Sequence, residues 1–211
     1  MELIDKIKMS VKDLDLFYGD KQALKKINMD IKENKVTALI GPSGCGKSTF
    51  IRTLNRMNDL IEDVTIKGNI SVDGEDIYTS DDVINLRTKV GMVFQESRLM
   101  PWLNVSENIL LHTEKDNRNK VDLDKYLKMM KLEKFKKSYP NELSGGMAHR
   151  VSIARALSFN PDILLMDEPF AALDYFTRRK MQKEVVNIHK NTKKGVVFVT
   201  HNIEEAMEIA K

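Results

Sequence analysis

GPSGCGKST, Gly41 to Thr49, decides how the rest of the chain is read. It matches the phosphate-loop pattern G-x-x-x-x-G-K-[ST] at Gly41, Gly46, Lys47 and Ser48. Glycines in such a loop let successive backbone N–H groups turn toward a phosphate, and the helix that follows adds its positive end. Lys47 is then placed to reach the β- and γ-phosphates, and the Ser48 hydroxyl to sit on Mg²⁺. The setting agrees with the motif. Val36 to Ile40 is a short apolar run expected to form a buried strand before the loop, and Phe50 to Met57 is expected to continue helically after it.

The rest of the chain bounds what surrounds this loop. Its 211 residues, 42% hydrophobic and 31% charged, suffice for one sizeable core with room for an inserted subdomain. No apolar run nears the roughly 18 residues of a membrane-crossing helix. The opening MELIDKIK lacks a secretion-signal pattern, so a cytoplasmic protein is expected, free to dock on a membrane-embedded partner. A single cysteine excludes an internal disulfide framework. A net charge of +3 with both signs interspersed argues against direct nucleic-acid binding.

Upstream of the loop, VKDLDLFYG and ALKKINMDI predict two strands turning at Gly19-Asp20, with Ile27, Met29 and Ile31 alternating against polar neighbours. Downstream, GNISVDGEDI predicts a second short extended pair, and Val90 to Phe94 an apolar strand ending in Gln95. Helical patterns then dominate: Val105 to Leu111, Leu123 to Met130, and a stretch beginning near Ser144. The polar run from His112 to Lys120 is expected to be a solvated connection, and Lys131, Lys134, Lys136 and Lys137 a solvated helix face. Asn160-Pro161-Asp162 breaks the helix before Ile163 to Met166, a compact apolar strand closing on Asp167-Glu168-Pro169. Phe176 to Lys190 suits an amphipathic helix, and Val196 to Val199 is a further strand, ending at Thr200-His201. Strands with functional residues at their carboxyl ends and helices between them indicate an α/β phosphate-binding domain.

Those strand ends complete a nucleotide chemistry. Asp167 is placed to hold Mg²⁺ directly or through water, and Glu168 to orient or deprotonate the water that attacks the γ-phosphate. Gln95 offers a neutral oxygen to metal or water, and His201 a contact to the γ-phosphate. Cys45 reads as a small loop residue rather than a nucleophile. The candidate nucleotide-binding loop residues are Gly41, Ser43, Gly44, Cys45, Gly46, Lys47, Ser48 and Thr49.

With these residues in place, the chain resembles an ABC-transporter ATP-binding subunit over essentially its whole length. The resemblance rests on ordered motifs: GPSGCGKST, Gln95, LSGGM from Leu143 to Met147, ILLMDEP from Ile163 to Pro169, Ala172-Leu173-Asp174, and His201. LSGG is the most discriminating, because a general phosphate-loop enzyme is not expected to carry it about twenty residues ahead of Asp167. The implied fold is α/β: a P-loop NTPase (RecA-like) ABC ATPase core with N-terminal antiparallel β strands and an inserted helical subdomain. The implied division is a core of 1–94 and 157–211 around a helical, signature-bearing subdomain of 95–156.

The resemblance also implies roles. Tyr18 stacks on adenine; Ser144, Gly145 and Gly146 approach the γ-phosphate of ATP held by a second, identical subunit; Asp174 communicates across that interface. The implied partners are an integral membrane permease, the second ABC ATPase subunit, and an extracytoplasmic solute-binding protein, with the chain on the cytoplasmic side of the membrane. Leu99, Met100, Trp102 and Leu103, beside Gln95, are candidates for the permease contact, with local packing as the alternative. FIRTLNRMNDLIEDVTIKGNISVDGEDIY resembles phosphate-importer ATPases, whereas QESRLMPWLNVSENI, LSGGMAHRVSIARAL and DEPFAALDYFTRRKMQ resemble the nitrate, sulfonate and taurine importer group. Import of a small oxyanion or related solute is the resulting expectation. A soluble ABC ATPase of nucleic-acid or ribosome function and an exporter ATPase share the same chemistry. A single cassette with a short insert speaks against the first; only partner identity separates the second. His149 departs from the pattern, standing where the resemblance implies glutamine before Arg150, and either keeps a polar contact there or alters coupling. The resemblance further implies strands and helices beyond the ten residues that follow His201.

Overall fold

The computed structural model describes residues 6–79, 81–113, 121–171 and 173–210. Ala172 and the 114–120 part of the expected polar connection lie outside them. β1 (Ile7–Tyr18) and β2 (Lys21–Lys32) form the predicted antiparallel hairpin, turning at Gly19-Asp20. The core face of β1 runs Met9, Val11, then Leu14 and Leu16. The alternation skips one residue where Asp13 adopts φ 47° and the pairing register shifts on both sides, so a bulge keeps apolar side chains inward across a 12-residue strand.

β3 (Val36–Ile40) leads into the phosphate loop and α1 (Lys47–Thr53). The helix stops short of the expected Met57: Arg56 is left-handed at φ 59°, and Met57–Leu60 is a 3₁₀ turn. Asn58 explains the stop. Its amide donates to the Thr49 carbonyl at 2.8 Å and to the Thr53 hydroxyl at 2.7 Å, so the chain folds back on the helix. β4 (Val64–Val72) and β5 (Glu75–Asp76) complete a four-stranded antiparallel sheet in the order β2-β1-β4-β5.

α2 (Val83–Lys89), which the sequence pattern does not reveal, precedes β6 (Val90–Val93). Asp82 caps it, but it buries no residue, so it carries no apolar stripe to read. α3 (Val105–Ile109) is shorter than expected; Asn104 and Glu107 close its start as a reciprocal capping box. α4 (Leu123–Met129) and α5 (Gly145–Ser158) follow, the latter capped by Ser144. The expected basic helix face is instead a 3₁₀ turn, Glu133–Phe135, with Lys131 paired to Glu184 and Lys136 to Asp124.

β7 (Ile163–Asp167), α6 (Tyr175–Thr192), β8 (Gly195–Thr200) and α7 (Ile203–Ile209) close the chain. The second sheet is parallel throughout, ordered β3-β8-β7-β6. Every residue of β7 and β8 is buried, as expected of strands covered on both faces. Their side chains divide by parity. Leu164, Met166, Val196 and Phe198 join the core under α3 to α6, while Ile163, Leu165, Val197 and Val199 join the core shared with α1 and the antiparallel sheet. Lys8 ties the antiparallel sheet to the segment before β7, pairing with Asp73 at 2.7 Å and Asp162 at 2.8 Å.

Candidate active site

The carboxyl ends of the parallel strands converge on the phosphate loop. Gly46 caps α1 with φ 95°, and a Cβ there would stand 3.0 Å from both the Ala23 carbonyl and Leu24 Cδ2. Glycine at this position thus answers a backbone requirement and a close approach of β2 at once. A cleft of about 490 Å³ opens above the loop, lined by Ser43 to Thr49, Glu168, Tyr18 and the β2 residues Lys21 to Ala23. The Tyr18 hydroxyl lies 3.4 Å from Thr49 Oγ1, which sets its ring at the rim of the cleft.

Lys47 curls over the loop. Its ammonium donates to the carbonyls of Gly41 at 2.8 Å and Pro42 at 2.7 Å, with Cys45 Sγ at 3.6 Å. Cys45 itself is an exposed free thiol. Lys21 and Gln22 join the cleft without having been foreseen. The hairpin register pairs Tyr18 with Lys21, so the aromatic turn carries a cation to the same rim.

Asp167 and Glu168 separate at the end of β7. Asp167 is 2% exposed; its Oδ2 accepts from Arg52 Nε at 2.9 Å and is ion-paired with Nη2 at 2.7 Å. Its Oδ1 is buried without a hydrogen-bond partner among the described residues. An orphaned carboxylate oxygen, taken with the Ser48 hydroxyl on the first turn of α1, is the hard-oxygen chemistry that suits Mg²⁺. Glu168 adopts φ 45°, a left-handed conformation costly for a non-glycine residue, and its Oε2 lies 3.5 Å from His201 Nδ1. The structure therefore gathers Tyr18, the loop and Glu168 around the cleft, with His201 beside Glu168 and Asp167 joined to α1 through Arg52.

Other candidate residues lie apart. Gln95 is exposed and does not line the cleft. Ser144 and Gly145 are exposed at the start of α5, where the Ser144 hydroxyl accepts from the Met147 N–H at 3.3 Å. Gly146 is buried there, and a Cβ on it would come within 2.5 Å of Thr177 Cγ2 on α6. Asp174 caps α6, and hydrogen bonds from the Thr177 hydroxyl and N–H hold its carboxyl below the usual range. His149 is buried, its Nε2 finds no partner among the described residues, and burial pushes its pKa down. The expected polar contact at that position is thus not made through this nitrogen.

Beside Gln95, Leu99 packs on the core but Trp102 is 70% exposed, so the tryptophan is no local anchor. A groove of about 230 Å³ runs nearby, lined mainly by Met57, Arg87, Met92, Phe94, Arg155 and Phe159.

A family described as ABC transporter matches residues 24–171 of the chain. The chain belongs to the ABC transporter family. Solved cassettes agree over nearly its full length. CbiO1 from Clostridium perfringens, part of the ABC transporter complex CbiONQ, is 30% identical with a TM-score of 0.84, over 98% of this chain and 83% of that one. MJ0796, a bacterial ABC transporter cassette, is 35% identical with a TM-score of 0.79, over 95% and 90% of the two chains, and is dimeric. A second dimeric MJ0796 structure, in a post-hydrolysis state bound to ADP and Pi, is 34% identical with the same TM-score and coverage. This chain is an ABC ATPase cassette on the α/β fold of these proteins. Among the described residues, no helix is long and apolar enough to cross a membrane.

Proposed function

We propose that this cassette hydrolyses Mg²⁺-bound ATP as one half of a head-to-tail dimer and thereby powers a membrane permease that imports a small oxyanion or related solute. The observation that carries the catalytic part is a cleft lined by the phosphate loop and Glu168, with His201 beside Glu168 and the buried Asp167 adjoining it in sequence and tied to α1. In the binding step Lys47 exchanges two neutral carbonyl acceptors for charged phosphate oxygens, a stronger class of hydrogen bond. Loop N–H groups and the start of α1 receive the remaining phosphate charge, and Tyr18 supplies an aromatic face for the base. Glu168 takes the proton of the attacking water, and His201, 3.5 Å from that carboxylate, supplies a contact to the γ-phosphate. Ser48 and Asp167 would hold the metal, which when bound would neutralise phosphate charge.

The dimer reading draws on the signature glycines. Gly145 is exposed, with nothing within 4 Å of a Cβ placed on it, so nothing in this chain's own packing calls for glycine there. Close approach by a group from outside the chain does, and the γ-phosphate on a second copy has that character; a two-fold interface uses this surface twice. Residues 95–156 serve as the permease-facing subdomain, with Gln95, exposed Trp102 and the Phe94–Phe159 groove on the docking side. The oxyanion assignment draws on the importer-like segments Gln95 to Ile109 and Asp167 to Gln182.

The test is capture of the intact protein from gently solubilised native membranes, with mass spectrometry of what accompanies it and phosphate release from the captured complex. A small permease and a solute-binding protein, with Mg²⁺-dependent turnover, are expected. Ribosomal or exporter components overturn the import reading and leave the ATPase in place; no turnover from an intact complex overturns the catalytic reading.

A further inference from the structure

We propose that Arg52 is a positioning residue of the metal–triphosphate site, fixing the Asp167 carboxylate so that Oδ1 is the oxygen presented to the metal. The proposal rests on the reading that Asp167 and Ser48 serve Mg²⁺. Three observations carry it. First, the two oxygens of Asp167 are treated unequally: Oδ2 accepts from Nε at 2.9 Å and is ion-paired with Nη2 at 2.7 Å, while Oδ1 is buried with no hydrogen-bond partner among the described residues. A carboxylate 2% exposed with one oxygen hydrogen-bonded and ion-paired to a guanidinium and the other bare has its rotation fixed by the first and its remaining capacity confined to the second.

Second, Arg52 stands four residues after Ser48 on α1, so the two side chains share a helix face one turn apart. One rigid helix thus carries both the hydroxyl assigned to the metal and the guanidinium that sets the opposing carboxylate, and α1 lies against β7 itself. Third, the pair joins residues separated by 115 positions, with the guanidinium side chain 40% exposed and the carboxylate 2%. A purely compensating cation needs only proximity. An Nε–H bond to Oδ2, with Nη2 of the same guanidinium plane 2.7 Å from that oxygen, defines an orientation, and that depends on the planar fork of arginine rather than on charge alone.

Lysine at position 52 separates the two roles, because it keeps the charge and loses the fork. The full-length protein, Arg52→Lys and Arg52→Gln are loaded with a non-hydrolysable ATP analogue and titrated with Mn²⁺, read by electron paramagnetic resonance. Binding of a fluorescent ATP in EDTA and a thermal melt are recorded alongside. Arg52→Lys is expected to weaken Mn²⁺ binding about tenfold, leaving metal-free nucleotide affinity within about twofold and the melt cooperative. Mn²⁺ affinity within about twofold of the native value in a folded Arg52→Lys protein overturns the proposal and leaves Arg52 as charge compensation. Failure of both variants to fold overturns it in favour of a structural role. A native protein that takes up no Mn²⁺ with nucleotide bound removes the metal reading itself, an outcome distinct from either.

Discussion

The two glycines that open α5 should respond to alanine in opposite ways. A Cβ at Gly146 would stand 2.5 Å from Thr177 Cγ2, about 1 Å inside the usual optimum for two carbons. Thr177 sits in the first turn of α6, so relief requires either that its χ1 turn, displacing the hydroxyl bonded to Asp174, or that a helix move. Forcing a methyl into such a contact costs about 1–3 kcal/mol, and the helix preference of alanine over glycine returns about 0.5–1 kcal/mol. Taking the middle of both ranges, the net loss is about 1 kcal/mol, which corresponds, for a domain of this size, to a fall in Tm of roughly 2–4 °C. Thr177→Ser removes only the offending methyl and keeps the hydroxyl that bonds Asp174. Differential scanning calorimetry of Gly146→Ala, Thr177→Ser and the double variant closes the cycle. The double variant should melt within about 1 °C of Thr177→Ser alone, since the pairwise term then accounts for the loss. Gly145→Ala meets nothing within 4 Å and should be neutral or raise stability by up to about 1 kcal/mol. A native Tm for Gly146→Ala, or an equal loss in the Thr177→Ser background, refutes the packing argument.

Glu168→Gln keeps the phosphate contacts and loses the base, so turnover should fall about 10²–10⁴-fold while ATP holds the protein as a dimer on size-exclusion chromatography; a variant that stays monomeric with ATP, or turns over at the native rate, counts against the assigned role. Lys47→Ala removes a charge-assisted contact of about 1.5–3 kcal/mol and should weaken ATP binding by roughly tenfold or more, measured by fluorescent-nucleotide titration in the same buffer. His149 has its folded pKa depressed by burial, and so does His112. The unfolded chain therefore binds more protons than the folded one once the pH drops below the ordinary histidine value of about 6.5. Stability is fully present above that value and declines below it, and the decline in Tm on acidification should be smaller in His149→Gln than in the native protein.

Much of this architecture is legible in the sequence because burial leaves a periodic trace. Ile163 to Met166 and Val196 to Val199 are short apolar runs between breakers, and both are fully buried parallel strands. Ile27, Met29 and Ile31 alternate, and they lie on β2. Asp167, Glu168 and His201 were placed by those strand ends. What stayed hidden lacks such a trace. α2 buries nothing, and α7 spans only Ile203–Ile209, so neither offers a long stripe. The stop of α1 depends on where the Asn58 amide reaches, which no residue pattern encodes. Arg52 meets Asp167 across 115 residues, a tertiary pairing invisible to local spacing, though its place one turn after Ser48 is a signal a reader of helix faces has available. Lys21 came to the cleft through hairpin register, and the buried Nε2 of His149 followed from the packing around α5.

Cys45 gives the phosphate loop a built-in reporter. It is the chain's single cysteine, its thiol is exposed, and it lines the same cleft as Lys47 and Glu168. A maleimide dye added to the intact protein therefore labels one atom, at the mouth of the site, without any engineered residue. A triphosphate resting on the loop should shield that sulfur, so that occupancy of the loop would be read as a labelling half-time on this chain.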